Sequence, residues 1–235
     1  MSKPTHRTPG EEGRQDVTLW ADPLCLWTWV AYKWLREAET VRPLALTVHA
    51  AMLDHPVGTS GDDEPSRFRE LAPGPVRVLA AVAAERGSRA VRPVYEALAH
   101  RFHEVGGLYH GLHDMLRGLS PQAGQEVQAA LLAQARDVVE KALADCGLPT
   151  GRADAMESPH WDDVLRAAHP AVHRRERGRD AHRLPVISLD GRTCVCVPLL
   201  RTAPAGELAG ALWDGIAALL REEAFLRRCR SAPAG

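Results

Sequence analysis

The chain lacks a charge imbalance: 29 Lys and Arg stand against 30 Asp and Glu, a formal net charge of −1. Without a basic stripe there is no electrostatic footprint for nucleic acid or for an anionic membrane surface. It also lacks a long apolar run. The longest, residues 78–84, falls far short of the ~20 residues that span a bilayer. Cysteine is scarce, five in 235 residues and irregularly spaced (Cys25, Cys146, Cys194, Cys196, Cys229), which excludes the paired framework of a small secreted domain. A chain of this length builds a core that needs no disulfide staples. Residues 1–16 carry no apolar segment of a signal peptide and read as a disordered tail, so a cytoplasmic location is expected. There is no Walker-type loop and no dinucleotide fingerprint. What remains, 45% hydrophobic and 25% charged, is ordinary globular composition.

The hydrophobic pattern changes period twice. Val17-Thr18-Leu19-Trp20-Ala21 is short, β-branched and aromatic, and Asp22-Pro23 stops it, which predicts a buried strand. Residues 24–41 carry apolar side chains at Trp27, Val30, Ala31, Trp34, Leu35 and Ala38, a helical spacing, and residues 44–50 alternate like a second strand. Residues 54–73 read as a loop with a helical start near Pro65. Helices are predicted over 76–86, 92–105, 124–146 and 160–169, punctuated by Gly106-Gly107, Ser120-Pro121, Gly147-Leu148-Pro149 and Ser158-Pro159. Residues 174–183 form a charge run, read as a solvated connector. The period then returns to two: a strand over 184–189, a tight turn at Asp190-Gly191, a partner strand over 193–197. A closing helix over 205–226 is predicted with Leu208, Leu212, Ile216, Leu219 and Leu220 on its inner face. The order is β-α-β, a helical block, then β-β-α.

The sharpest chemical feature is Asp22-Pro23-Leu24-Cys25-Leu26-Trp27-Thr28-Trp29, where the first strand meets the first helix. A cysteine at a helix N-terminus faces unpaired backbone N–H groups and the positive dipole end, which favour thiolate over thiol. The thiolate is the nucleophile. The other reading, a small apolar filler beside Trp27 and Trp29, stands level with it on the motif alone. Position in the fold favours the nucleophile.

The β-α-β opening with cysteine at its first turn, and the later β-β-α whose strand begins Leu184-Pro185, follow the thioredoxin plan (α/β), with the helical block placed where DsbA-family proteins carry theirs. The chain resembles the actinobacterial DsbA-like mycothiol-dependent reductases, whose active site reads D-P-x-C-P-W-C-W. Further matches are Gly74-Pro75-Val76-Arg77-Val78, the helix from Tyr95 to His103, Ala142-Leu143-Ala144-Asp145-Cys146-Gly147-Leu148-Pro149, Leu184-Pro185-Val186-Ile187, Val197-Pro198-Leu199-Leu200 and Leu212-Trp213-Asp214. The resemblance implies a thioredoxin-like domain over 17–53 and 184–226, a helical insertion over 54–183 and a tail over 227–235. It also implies a cis peptide bond before Pro185, with the backbone of the preceding residue pairing with the substrate chain or thiol ligand. Two positions depart from the family. Thr28 stands where the resolving cysteine belongs, and Leu184 where threonine or valine commonly precedes the cis-proline. A C-x-x-C pair works because its second thiol displaces a mixed disulfide, so here only single-thiol chemistry survives.

The expected catalytic pair is therefore Cys25 with Thr28, whose hydroxyl lies one helical turn on and can hydrogen-bond the sulfur. Trp27, Leu26, Leu184 and Pro185 are expected to line the substrate site. The pairs His100/His103 and His110/His113 have no zinc-type signature and read as exposed or core-edge, and Cys194 and Cys196 as core packing, so no metal is expected. No tightly bound cofactor is expected, and mycothiol is the expected co-substrate. Three functions stay open: a monothiol, mycothiol-linked oxidoreductase; a cofactor-free E/Z isomerase in which Cys25 adds reversibly to a conjugated substrate; and a non-catalytic thioredoxin-like binding module. For the enzymes the expected partner is a small molecule, with apolar, conjugated and carrier-bound forms all compatible, as is a homodimer; nucleic acid and membrane are not expected.

Overall fold

The computed structural model describes residues 14–52, 70–168, 185–189, 193–196 and 200–221. Leu184, the helical start near Pro65, the charge run 174–183 and the Asp190-Gly191 turn lie outside the described residues. Four strands form one sheet: β1 (Gln15–Ala21), β2 (Leu44–Ala50), β3 (Val186–Leu189) and β4 (Thr193–Cys196), in the order β2-β1-β3-β4. β1 runs parallel to β2 and antiparallel to β3, and β3 is antiparallel to β4. Parallel neighbours need a crossover, supplied by α1 (Leu26–Val41). A central strand with a parallel partner on one side and an antiparallel pair on the other is the thioredoxin fold.

Alternation along β1 sorts its side chains. Val17, Leu19 and Ala21 enter the main core, while Trp20 points to the opposite face and joins Cys25, Ala51 and Val186 in a smaller cluster. Trp20 pairs with Val186 across the sheet, so the residue after Pro185 is delivered beside the first-helix turn by strand register.

The closing helix of this fold, α8 (Gly206–Arg221), packs on α1, and of the five residues expected on its inner face Leu220 is buried while Leu212 and Ile216 pack against the core. Ala209, Gly210, Trp213, Ala217 and Leu220 are buried, whereas Leu208 and Leu219 are 68% and 45% exposed. Small residues let the two helices approach: a Cβ on Gly210 would stand 2.8 Å from the Arg42 guanidinium. Trp34 Nε1–H then donates to the Ala209 carbonyl at 3.0 Å and Trp213 Nε1–H to Gln15 Oε1 at 3.1 Å. Burying one indole, with its 150–250 Å² of surface, decides the rotation of the helix over two leucines.

Between the sheet halves lie α2 (Gly74–Arg86), α3 (Val91–His103), the short α4 (Leu112–Met115), α5 (Pro121–Leu132), α6 (Ala135–Asp145), a 3-10 segment (Thr150–Glu157) and α7 (His160–Ala168). The single helix expected over 124–146 is split. At Gln134 the amide bonds back three residues to Leu131, a tight turn that neither Gly nor Pro announces. Ser120 caps α5 as expected, its Oγ accepting from the Ala123 amide at 3.2 Å. The 3-10 segment, absent from the sequence reading, is held by Arg77. This buried side chain donates from Nε and Nη2 to the two Asp162 oxygens, each at 2.7 Å, and from Nη1 to the Met156 carbonyl at 2.9 Å. Removing one partner of such a pair strands the other charge. Arg77→Met is expected to lower the unfolding free energy by about 3 kcal/mol, read from urea denaturation midpoints; a change below ~1 kcal/mol would show that the pair is screened.

Candidate active site

The end of β1 turns into α1 within four residues. Asp22 is fully buried and organises the turn twice: its Oδ1 accepts the Leu24 amide at 2.8 Å, and its carbonyl accepts the Cys25 amide at 3.1 Å. Cys25 is the N-cap of α1, extended at φ −88° and ψ 106°, and its carbonyl takes the first helical bond from Trp29 at 3.1 Å. The thiol itself makes no capping hydrogen bond and is 6% exposed, walled by Trp20, Ala51 and Val186, with the half-buried Trp27 against them.

Two opposing effects act on the sulfur. Burial is the larger and pushes the Cys25 thiol up; the Thr28 hydroxyl and amide and the Trp27 amide favour the ionised form, and the Asp22 carboxylate opposes it. The balance lies above the ordinary thiol value. The sequence reading expected the helix start to ionise the sulfur, and desolvation outweighs it here. Thr28 is fully buried, and its hydroxyl makes no hydrogen bond of good geometry although it lies close enough to bias the sulfur. A dry hydroxyl of that kind costs about 1–3 kcal/mol.

The helical block closes over this turn from α3. His103, 9% exposed, bonds through Nε2 to the Pro23 carbonyl at 2.9 Å, and burial lowers its pKa to about 4. It is therefore neutral at pH 7 and Nε2 carries the proton that is donated. The next residue, Glu104, accepts from Trp29 Nε1 at 2.6 Å and from Lys33 Nζ at 2.7 Å; the Lys33 ammonium, with the indole N–H, holds its carboxyl below the usual range. Trp29 stacks on Tyr32 and meets Tyr95 edge-on, with ring centroids 5.5 and 6.5 Å apart. Trp20 also forms one wall of a cavity of about 260 Å³, lined further by His49, Ala80, Ala83, Val91 and Leu165.

Over residues 24–230 the chain matches the Rv2466c-like family, described as mycothiol-dependent nitroreductase Rv2466c. The chain belongs to that family. It is thereby placed among thiol-dependent oxidoreductases of DsbA-like fold. Among solved structures it is similar to a protein-disulfide-isomerase candidate from Nitrosomonas europaea, at 15% identity over 88% of this chain and 98% of that one, TM-score 0.46. It is also similar to the oxidoreductase DsbA from Xylella fastidiosa, at 16% identity over 92% and 90%, TM-score 0.42.

In this member of the Rv2466c-like family the structure gathers Cys25, Thr28 and Trp27 at one turn, with the buried Pro185 next to Val186 of the cysteine's wall. Leu26, expected at the substrate site, is half-buried against the main core. Leu184 lies outside the described residues, as do the side chains of Cys194, Cys196 and His113. His100 and His110 are exposed, and among the described residues no cluster of His, Cys, Asp or Glu is placed to hold a metal ion. Nor is any described helix long and apolar enough to cross a membrane. Sequence reasoning missed Asp22, His103, Glu104, Tyr95 and Tyr109 as the residues that hold the turn and first helix carrying the sulfur. Asp22 stood in the quoted motif, and Tyr95 and His103 bound the quoted α3 match, but nothing in their spacing shows that α3 crosses over the turn.

His103 gives the site a pH signature. Its folded pKa is about 4, against ~6.5 in the unfolded chain, so the unfolded state binds the extra proton between those values. Stability from a neutral His103 is full above pH 6.5 and is lost as pH falls toward 4, at up to about 1.4 kcal/mol per pH unit. Urea unfolding across this range should show that slope in the native protein and lose it in His103→Gln, which keeps an N–H for Pro23. An unchanged slope in the variant would assign the proton to another group.

Proposed function

We propose that the protein is a monothiol oxidoreductase that uses Cys25 and mycothiol to reduce a small molecule in the cytoplasm. One observation carries this reading: in a family described as mycothiol-dependent, the cysteine occupies the N-cap of α1 while the buried residue one turn on is Thr28. Two electrons require two thiols. Cys25 supplies one and a mycothiol molecule the other; their sulfurs join as a mixed disulfide while two electrons and two protons pass to the substrate. A second mycothiol thiolate then attacks the mixed disulfide, releasing oxidised mycothiol and restoring Cys25. By the family resemblance Leu184 and Pro185 would line the site of the thiol ligand, and Trp27 would cover it. Cys146, the other described free cysteine, follows α6 and takes no part in this cycle.

The apolar wall of Cys25, made by Trp20, Ala51, Val186 and Trp27, favours a second reading. A thiolate adding to the β-carbon of a conjugated substrate forms a C–S bond, leaves a single bond free to rotate, and is expelled with E converted to Z. No electrons are consumed. The third reading, a binding module, requires nothing of the sulfur.

Mycothiol-dependent consumption of NADPH through a recycling reductase, with a nitroaromatic or disulfide as acceptor, is expected in the native protein and should fall at least ~100-fold in Cys25→Ser. Intact mass should show one mycothiol on the native chain and none on the variant. Isomerisation of a polyene without NADPH loss would establish the second reading instead, full activity in Cys25→Ser would sink both thiol mechanisms, and neither activity in the native protein would leave the module.

A further inference from the structure

The parallel register of β1 and β2 sets Trp20 beside His49, each one residue before the end of its strand. Both side chains therefore leave the same face at the carboxyl edge of the pair, and their rings meet at 4.9 Å, tilted by 58°. In open sheets with parallel strands that edge is where ligands are received. Here the two rings form one side of the cavity of about 260 Å³, and helices of the insertion form the rest. Ala80, Ala83 and Ala84 line it from α2 at helical spacing, so the room exists because three wall positions carry only a methyl group. Val91 and Leu165 close it from α3 and α7. Protein interiors hold few voids larger than a water molecule, and a space of this size forfeits the contacts of its lining until something fills it.

The walls define what fits. Among the described residues around the cavity none is charged, so an ion entering it would leave water without a counter-charge. Trp20 offers an aromatic surface, against which another ring packs edge-on or offset. His49 supplies the polar contact. Its ring makes no hydrogen bond among the described residues, and burial lowers its pKa, so near pH 7.5 the neutral imidazole presents one N–H donor and one bare nitrogen. The other polar side chain there, Ser88, is exposed. An apolar cavity of roughly 150 Å³ accepts one benzene ring, so this one has room for a ring and a substituent. We propose that the cavity is a binding site for a neutral single-ring aromatic molecule, its ring packed against Trp20 and the alanines and its one polar substituent hydrogen-bonded to His49.

Trp20 also walls the Cys25 thiol, together with Ala51 and Val186. The two sites share that one side chain, and Cys25 is not among the residues that line the cavity. The bound ring would touch the indole and not the sulfur. The inference therefore goes beyond the proposed reaction and stands whether or not Cys25 carries out that chemistry.

The experiment is titration of the full chain near pH 7.5 with phenol, toluene and benzoate, followed through the indole N–H signals in nitrogen–proton NMR spectra, with the Trp20 signal assigned by its loss in Trp20→Phe. Phenol and toluene are each expected to move the Trp20 signal along a saturable one-site curve, and benzoate to leave it in place. His49→Phe keeps a ring beside Trp20 and removes the polar partner. In that variant the affinity for phenol should fall about ten-fold while that for toluene changes less than about two-fold. Ala83→Leu, at a half-buried wall position, should weaken both rings at least ~ten-fold by filling the space. The proposal is overturned if neither ring saturates the Trp20 signal up to its solubility, if benzoate binds as well as phenol, or if His49→Phe weakens both rings equally. Undiminished binding in a folded Ala83→Leu overturns it too. Should that variant fail to fold, Val164→Phe fills the cavity from α7 and decides in its place. Cys25→Ser should bind both rings as the native chain does; loss of binding there would seat the rings at the sulfur and sink the proposal. Failure of mycothiol-dependent turnover, with these titrations as expected, would defeat the proposed function and leave this site standing.

Discussion

Everything at this site follows from a conflict at one atom. The N-terminus of α1 offers amide hydrogens to the Cys25 sulfur, while the walls made by Trp20, Ala51, Val186 and Trp27 take water away from it. Those effects have opposite signs, and a pocket closed to 6% exposure lets the second prevail. A thiol in that state waits for a donor set or a bound thiol to offset the cost of ionising. The surrounding structure is arranged to supply hydrogen-bonding groups without supplying bulk water.

The donors to the sulfur come from α1 itself, and the groups that brace the turn come from the helical block. His103 holds the Pro23 carbonyl, Glu104 ties down Trp29 and Lys33, and Tyr95 packs against the first turns of α1. All follow from the position of α3 across the crossover helix. The insertion thus braces the turn and the first helix that carry the cysteine. The backbone at the end of α3 is correspondingly tight: a side chain at Gly107 would stand 2.7–2.9 Å from three carbonyl oxygens, those of Arg101, Glu104 and Phe102. Only glycine lets the chain fold back and bring Tyr109 under the turn.

Much of the fold was legible in the residues. The second strand lies at 44–50 as read, and the first helix, the α2 and α3 helices and the cap at Ser120 fall within a few residues of their expected places. Strong periodicity and Pro or Gly punctuation made them so. The break between α5 and α6 had no such mark, because a single tight turn at Gln134 is compatible with any residue there. The 3-10 segment was invisible for the same reason: its shape is imposed by Arg77 reaching from another helix. The inner face of α8 was legible at Leu212, Ile216 and Leu220 but not at Leu208 and Leu219, because apolar spacing weighs leucine above alanine, whereas close helix contact selects the small residues.

At the site the division is sharper. By itself the sequence determined that one cysteine would start the first helix and that Thr28 would stand one turn beyond it, since both are matters of spacing along a single element. Whether that cysteine would be ionised was settled only by tertiary structure. Desolvation depends on what packs on the sulfur, and the residues that do so, Trp20, Ala51 and Val186, arrive from the first strand, the end of the second and the third. Local order sets which donors a helix end presents, and the assembled core sets whether water is there to make them unnecessary.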